Sequence, residues 1–217
     1  MRLLPPPGPA RVLTLGTLVK TVGRGLWLVA SALFLTRSVG LSATQVGIGL
    51  TISALVGVLA SAPSGYLADR VGPRGVQVGA LFVAGTLTIG LIAVRSFPTF
   101  VLVGAATALA DAVERGARGA LIAGAIPADQ RVRTRAYLRA TTNVGISVGA
   151  VLGGFAIAAD TRTGYVALIL ASTATSLAAA VVFLRLPPSP RSPPRPTVLG
   201  WSPYGTARSS PSHWSTG

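Results

Sequence analysis

Long stretches without a charged residue constrain this chain more than any other feature of its sequence. Residues 41–68 and 75–94 contain no Asp, Glu, Lys or Arg. An α-helix rises about 1.5 Å per residue, so about twenty apolar residues cross the hydrocarbon core of a bilayer, which is about 30 Å thick. Charged residues make up only 11% of the chain, against about 25% in an ordinary soluble domain. The sequence therefore predicts a protein embedded in a lipid bilayer.

Apolar runs recur along the chain and predict six membrane-spanning helices. Their approximate bounds are 11–36, 42–68, 74–94, 99–126, 139–159 and 165–186. Residues 1–10 are a proline-rich lead, and 187–217 are rich in Pro and Ser with too few apolar residues to fold, so we expect a disordered tail. A cleaved signal peptide is the alternative for the first run, but the regular spacing of later spans disfavours it. The expected domains are thus the lead, a six-span domain over 11–186 and the tail.

Basic residues are distributed unevenly between the two ends of these spans. With the N-terminus placed in the cytoplasm, twelve of the 19 Lys and Arg residues lie on the cytoplasmic side, three lie outside and four lie within helices. Cytoplasmic loops carry the excess of Lys and Arg in membrane proteins. We therefore expect both termini in the cytoplasm and the chain in the plasma membrane. The net charge of +14 is then a topology signal, and no nucleic-acid partner is expected.

A short charged segment, Gly65-Tyr-Leu-Ala-Asp-Arg-Val-Gly-Pro-Arg-Gly75, connects the second and third spans. Its pattern G-x-L-A-D-R-x-G-x-R resembles the signature between helices 2 and 3 of the major facilitator superfamily of secondary transporters. The residues that match it are Gly65, Leu67, Ala68, Asp69, Arg70, Gly72 and Arg74, whereas Pro73 stands where a basic residue is usual. The resemblance implies the N-terminal half of an all-α membrane fold, six helices arranged as two inverted three-helix repeats.

The same resemblance implies a conformational role for this segment. In related transporters the turn contacts the second half of the protein and stabilises one of the alternating states. Asp69 would then lie near a helix N-terminus, and Arg70 or Arg74 near acidic partners.

Small residues recur every four positions in two of the predicted spans. The second span has Gly49, Ser53, Gly57, Ser61 and Gly65, and the fifth has Gly145, Gly149 and Gly153. Such a series forms a groove that lets another membrane helix approach closely. Gly145, Gly149, Gly153 and Gly154 also resemble the fifth-helix signature of the family's drug/proton antiporters, although Ala150 replaces a proline.

Charged residues inside predicted spans are costly in a membrane and mark candidate transport pathways. Lys20 and Arg24 lie one turn apart in the first span. In the fourth span, Asp111 and Arg115, and also Glu114 and Arg118, are spaced for pairing along a helix. Lys20 and Asp111 lie at similar predicted depth, and the resemblance implies that helices 1 and 4 line a central cavity. We therefore expect Lys20, Arg24, Asp111, Glu114 and Arg115 to form a polar pathway for substrate or protons. Ordinary ion pairs near the cytoplasmic end are the alternative.

The fourth span carries a further, looser resemblance. Arg115 is followed four residues later by Gly119, as in the fourth-helix signature of the family, with Arg118 in place of the usual Gln. The resemblance implies that Arg115 takes part in proton coupling.

Several classes of function are disfavoured by what the sequence lacks. It has no Cys and a single His, His213, so no metal, organic cofactor or enzymatic site is expected. The predicted function is secondary active transport of a small solute by alternating access, most simply proton-coupled efflux. Because the resemblance covers only 11–186, about half of a family member, two alternatives remain. The chain is either a truncated or frameshifted transporter, which includes the case of a remnant that does not transport, or a six-span protein that pairs with itself or with a second six-span half.

Overall fold

The computed structural model describes residues 8–157 and 161–186. Its α-helices are α1 (Pro9–Leu33), α2 (Ala43–Leu59), α3 (Ser61–Val71), α4 (Pro73–Gly90), α5 (Phe97–Ala125), α6 (Arg131–Ile157) and α7 (Arg162–Phe183). A π-helical turn extends α1 over Phe34–Ser38, and 3₁₀ turns follow α4 at Leu91–Ala93 and precede α6 at Ala128–Gln130. Neither described range contains a strand. Residues 1–7 of the predicted lead and the predicted tail 187–217 lie outside the described residues.

Helices α2 and α3 form one bent segment. Only Ala60 separates them, and their axes differ by 47°. Pro63, in the first turn of α3, lacks the N–H that would bond to the carbonyl of Leu59, so a continuous helix is interrupted here. The predicted second span is therefore a broken helix.

Most of the helical segments meet the requirements of a membrane span. Four are long and apolar enough to cross a bilayer: Pro9–Ser38, Pro73–Ala93, Phe97–Ala125 and Arg162–Phe183. The bent pair α2–α3 makes a fifth when it is counted as one span. The predicted fifth span falls on α6, which is 27 residues long but is not among these five. The chain is thus an all-α, multi-pass membrane protein whose described segments follow the predicted order.

The helices divide into two units of three segments each, the first made of α1, α2–α3 and α4 and the second of α5, α6 and α7, and the two units make equivalent contacts. α1 packs against α6 and α7, while α5 packs in the same way against α2–α3 and α4, and α4 packs against α7. This pattern is unchanged when the first three segments are exchanged with the last three. Because each unit has an odd number of segments, the second unit crosses the membrane in the opposite sense to the first. This is the contact pattern expected of the predicted pair of inverted three-helix repeats, although α6 is not among the segments that meet the requirements of a span.

Two apolar layers close the interior of the bundle. The layer at the end where α1 begins includes the buried side chains of Leu13, Leu81, Leu121 and Phe183. The layer at the opposite end includes Phe34, Leu91, Phe100 and Tyr165. Large apolar side chains such as Leu102 and Phe155 point outward, where they are more than two-thirds exposed and suited to contact with lipid. The buried charged residues lie between the two layers.

The connections between helices are shorter than the sequence predicted. The predicted turn 65–75 is wrong in extent, because α3 continues to Val71 and α4 begins at Pro73. The connection is therefore Gly72 alone, whose φ of 114° is readily adopted only by glycine. The connection predicted between the spans 99–126 and 139–159 is also too long, since α6 begins at Arg131. The Arg131 side chain donates to the carbonyls of Ala123 and Ile126 at the end of α5, which holds the two helices in a tight connection.

Candidate functional site

An ion-pair cluster joins α1 to α5 inside the bundle. Lys20 Nζ lies 3.1 Å from Asp111 Oδ1 and 2.8 Å from Glu114 Oε2. Lys20 lies eleven residues after the start of α1 and Glu114 eleven before the end of α5, which is roughly 16 Å in each case at 1.5 Å per residue. Since the two helices run in opposite directions, this matched depth brings the side chains together as predicted.

Glu114 is the centre of the cluster and is only 1% exposed. Its Oε1 atom accepts a hydrogen bond from Gln77 Nε2 of α4 at 2.7 Å and lies 3.7 Å from Arg118 Nη1, one turn along α5. A buried carboxylate is strongly destabilising unless cations and hydrogen-bond donors surround it. Glu114 has two cations and one amide around it, and these groups tie α1, α4 and α5 together.

A cavity of about 180 Å³ lies between this cluster and the apolar layer that contains Phe100. Five helices line it, α1, α2, α4, α5 and α7, so both repeats contribute. Its charged lining residues are Lys20, Arg24 and Asp111. Its hydroxyl-bearing lining residues are Ser53, Thr88, Thr107, Ser172 and Ser176, and its largest apolar ones are Trp27, Leu50, Leu91 and Phe100. An apolar wall with a few convergent polar groups is typical of sites that bind small molecules.

The charged residues of the site differ in their access to this cavity. Asp111 lines the cavity with a side chain that is 28% exposed, whereas Glu114 is buried behind it. Lys20 is buried and is shared between the two carboxylates. Arg24 lines the cavity and is exposed, and within the described ranges it forms no ion pair. Asp111 and Arg24 are therefore the charges that a bound solute could reach.

The predicted pairing along the fourth span is partly confirmed. Glu114 and Arg118 lie within ion-pair distance, as expected for residues four apart on a helix. Asp111 is paired with Lys20 instead of Arg115. Arg115 is exposed and its guanidinium lies beside Gly57 of α2. The structure thus brings Lys20, Asp111 and Glu114 together and leaves Arg115 outside the cluster.

The charged residues of the segment Gly65–Gly75 take no part in the ion-pair cluster. Asp69 and Arg70 are exposed at the end of α3, and the guanidinium of Arg70 lies 4.5 Å from the centre of the Tyr66 ring. Arg74 donates a hydrogen bond to the backbone carbonyl of Leu184, just after α7, a favourable position for a cation because of the helix dipole. The partner found for Arg74 is therefore a helix end in the same six-helix unit. Contacts of Asp69 and Arg70 with a second half stay a prediction.

The glycine series of α6 packs tightly against α1. A Cβ atom added at Gly149 would lie 2.0 Å from the carbonyl oxygen of Val22 and 2.9 Å from Gly25 Cα. One added at Gly145 would lie 2.0 Å from Thr21 Oγ1, and one at Gly153 would meet its neighbours at an ordinary 3.5 Å. Gly154 faces away, with nothing within 4 Å of an added Cβ. The groove predicted for this helix is present, and Gly149 is the position at which it meets the backbone of α1 most closely.

The equivalent series in the first repeat is confirmed only as far as the bend. Gly49, Ser53 and Gly57 are buried, and an added Cβ at Gly49 would lie 2.2 Å from the Phe100 ring on α5. Beyond Ala60 the buried face shifts to Ser64 and Ala68, so the prediction that Ser61 continues the groove was wrong. Gly65 is partly buried and its backbone N–H lies against Gly116 of α5, although its own Cβ position is open.

Two kinds of residue in and around the site were missed by the sequence reasoning. Gln77 is fully buried in the cluster. It could have been identified from the sequence, because it is the only strongly polar residue in the run 75–94. The partner glycines Gly25 on α1 and Gly116 on α5 also lie at close helix contacts. Gly116 belongs to a series of small residues every four positions, Gly104, Ala108, Ala112, Gly116 and Ala120, which could have identified it. Gly25 is identified only by the packing of the helices.

Inverted repeats around a polar cavity define the class as a membrane-transporter fold. The sequence profile of the Major Facilitator Superfamily matches residues 13–216, and the chain belongs to this superfamily, which consists of transporters. It is 27% identical over 139 residues to the uncharacterized MFS-type transporter YqjV of Bacillus subtilis (strain 168), covering 64% of this chain and 34% of YqjV.

Two solved structures have the same fold. The human organic anion transporter MFSD10 (TETRAN) is 20% identical with a TM-score of 0.62, and the match covers 85% of this chain and 49% of MFSD10. A bacterial homologue of the human lysosomal transporter Spinster, solved in an inward-facing and unoccupied conformation, is 18% identical with a TM-score of 0.63. That match covers 90% of this chain and 45% of the homologue. The chain thus spans about half the length of these structures.

Proposed function

We propose that this chain is a six-helix unit of a secondary active transporter, which moves a small solute by alternating access and exchanges it for protons in the direction of efflux. The observation that carries this proposal is the cavity between the two repeats, with an accessible carboxylate, Asp111, paired to a buried cation, Lys20. A carboxylate at such a position can take up a proton when the cavity faces one side and release it on the other.

The pairing of Asp111 gives a physical reason for coupling. While it is ionised, Asp111 holds one of the Lys20 hydrogen bonds. Protonation would weaken that bond and leave Lys20 held by Glu114 alone. A change in the charge of the cavity would therefore alter both solute affinity and the contact between α1 and α5, which is the kind of link that exchange transport requires.

The expected membrane is the plasma membrane, with both termini in the cytoplasm. This orientation is supported by the arginines at the end where α1 begins, which include Arg11, Arg70, Arg131 and Arg135. The segment from Gly65 to Arg74 and the exposed Arg115 would face a second six-helix half, or a second copy of this chain, that completes the transport pathway.

Reconstituted flux tests the proposal. The complete chain is placed in liposomes that contain a pH-sensitive dye, and gradients of permanently charged or neutral probes are imposed: 4-hydroxybenzenesulfonate, 4-hydroxybenzyltrimethylammonium and 4-hydroxybenzyl alcohol. We expect proton movement in the opposite direction to one of these probes, and its loss in Asp111→Asn. Arg139→Gln, an exposed helical arginine away from the cavity, is the control that should behave as the unaltered chain.

An alternative is a six-helix unit that transports only with a second half, and the half-length match to the solved structures favours it. In that case the chain alone moves neither protons nor probes, and co-expression with a second six-helix unit restores both. Measurable proton movement, by the chain alone or together with a second unit, that is the same in Asp111→Asn and in the unaltered chain would contradict the role of Asp111.

A further inference from the structure

We infer, on the basis of the proposed transport function, that the solute bound in the cavity is a small organic anion that also carries a hydrogen-bond donor, with Arg24 as its charge partner. The inference rests on three features of the cavity: the balance of charge around it, the direction of the hydrogen bonds of its hydroxyl groups, and its size.

Among the charged residues of the ion-pair cluster and the cavity wall, one cation, Arg24, is in excess. Lys20 and Arg118 lie within ion-pair distance of the two carboxylates of the site, Asp111 and Glu114. Within the described residues Arg24 has no such partner, and it lies on the cavity wall. An unpaired arginine inside a membrane bundle is strongly unfavourable unless it faces water, a ligand or an opposite charge. An anionic group on the solute would supply that charge, and a carboxylate, sulfonate or phosphate offers oxygen acceptors that match the planar fork of a guanidinium.

Asp111 does not oppose this assignment. Its negative charge is balanced by Lys20 at 3.1 Å, and Lys20 is also bound by Glu114 at 2.8 Å. A cationic solute would have to compete with Lys20 for Asp111 while lying beside Arg24. An anionic solute meets an uncompensated positive charge and displaces no existing ion pair.

The hydroxyl groups of the wall favour a solute that donates hydrogen bonds. Ser53, Thr107 and Ser176 donate to the carbonyls of Gly49, Val103 and Ser172 in their own helices, and Thr88 donates to Ala84 in the same way. Their lone pairs remain available to the cavity, so they present acceptors. A hydroxyl or amide N–H on the solute would satisfy them.

The size and the walls of the cavity restrict the solute further. The volume of about 180 Å³ is below the range of about 300–1,000 Å³ usual for drug-sized ligands. Trp27 lies on α1 three residues from Arg24, so the two are on neighbouring positions of one helical face. Its ring and that of Phe100 provide apolar surface for a single small ring or short chain.

Equilibrium binding tests the inference separately from transport. The complete chain in lipid nanodiscs is titrated with 4-hydroxybenzenesulfonate, with benzenesulfonate, which lacks the donor, and with 4-hydroxybenzyltrimethylammonium, which reverses the charge. We expect the hydroxylated anion to bind more tightly than either analogue. Arg24→Gln should weaken anion binding roughly ten- to hundredfold, the scale of one charge-assisted hydrogen bond. Arg139→Gln should leave it unchanged.

The position of the bound probe has its own measurement. Trp27, Trp201 and Trp214 are the tryptophans of the chain, so a Trp201→Phe/Trp214→Phe variant leaves Trp27 as the sole fluorophore. Anion binding should change its emission, and Arg24→Gln should shift the titration to higher concentration. A cation that binds as tightly as the anion, undetectable binding of the hydroxylated anion, or equal anion affinity in Arg24→Gln would each overturn the inference. Selective anion binding without flux would contradict only the proposed transport, and flux of the cation in preference to the anion would contradict only the substrate class.

Discussion

A close contact of α6 with the backbone of α1 predicts that Gly149→Ala destabilises the protein although alanine favours helices. A Cβ atom at position 149 would lie 2.0 Å from the carbonyl oxygen of Val22, about 1.4 Å short of ordinary van der Waals contact, which begins at 3.4 Å. The obstructing atoms are backbone atoms of α1, including Gly25 Cα at 2.9 Å, and backbone cannot rotate away. α1 and α6 must therefore move apart by about an ångström.

The size of the effect follows from two opposing contributions. Overpacking typically costs about 1–3 kcal/mol, and a gap of 0.5–1 Å forfeits about a quarter to a half of the dispersion attraction between the separated atoms. Replacing glycine in a helix returns up to about 1 kcal/mol. Because the obstructing atoms are backbone, the cost lies at the upper end of this range, and we expect a net loss of about 2 kcal/mol in the free energy of unfolding. For a chain of this length this corresponds to a decrease in Tm of about 4–8 °C.

The same helix contains its own controls. Gly154→Ala adds a Cβ where nothing lies within 4 Å, and Gly153→Ala adds one that meets α1 at 3.5 Å. Both should leave Tm unchanged or raise it by a few degrees, since only the helix-propensity gain applies. Gly145→Ala should fall between these and Gly149→Ala, because the atom it meets at 2.0 Å is the Thr21 hydroxyl, which can rotate at the cost of its hydrogen bond to Thr17.

Thermal unfolding in detergent, followed by circular dichroism or by size-exclusion of the remaining monodisperse protein, gives the four Tm values under one condition. The expected order is Gly149→Ala lowest, then Gly145→Ala, then Gly153→Ala and Gly154→Ala together. If Gly149→Ala is as stable as Gly154→Ala, then α6 does not cross α1 at Gly25 and the packing of the two repeats is different from that described here.

Two further substitutions test the cluster and the connection between helices. Lys20→Met leaves Glu114 buried without its nearest cation and should lower the free energy of unfolding by about 3–5 kcal/mol. The double variant Lys20→Met/Glu114→Gln should recover part of that loss in the same thermal assay. A double variant less stable than Lys20→Met would show that the pair is not coupled. Gly72→Ala should lower the free energy of unfolding by about 1–3 kcal/mol, because the φ of 114° at this position is strained for alanine. Gly75→Ala should not lower it, because Gly75 is helical with open space around it. Equal stability of the two variants would show that Gly72 is not held in this conformation.

Local patterns in the sequence were sufficient for the class of protein and for much of the site. Uncharged runs of membrane-spanning length predicted the helical segments in their observed order, and the segment Gly65–Gly75 predicted the superfamily. The depths of Lys20 and Asp111 along their helices predicted that the two meet. These predictions succeeded because helix length, rise per residue and the cost of charge in a bilayer depend only on the order of residues along the chain.

Local patterns failed where neighbours compete for one partner. The spacing along α5 predicted an ion pair between Asp111 and Arg115, but Asp111 pairs with Lys20 of α1. A contact between two helices cannot be deduced from the spacing of residues within one of them. The groove predicted through Ser61 ended at the bend that Pro63 causes, since a change in helix direction rotates every later residue to a new face. Predicted turns were too long because charged residues such as Asp69, Arg70 and Arg131 lie in the end turns of helices and not between helices.

The sequence by itself therefore determined that the chain crosses a membrane, that it belongs with secondary transporters, and that charged residues of its first and fourth spans lie at one depth. Only the tertiary structure decided which of those charged residues pair with one another and which face the cavity. Glu114 is buried among Lys20, Gln77 and Arg118, while Arg24 lines the cavity and, in the part of the chain that the structure describes, forms no ion pair. The physical reason is that pairing depends on distances between side chains of different helices, and these distances are set by the packing of α1, α4 and α5 against one another.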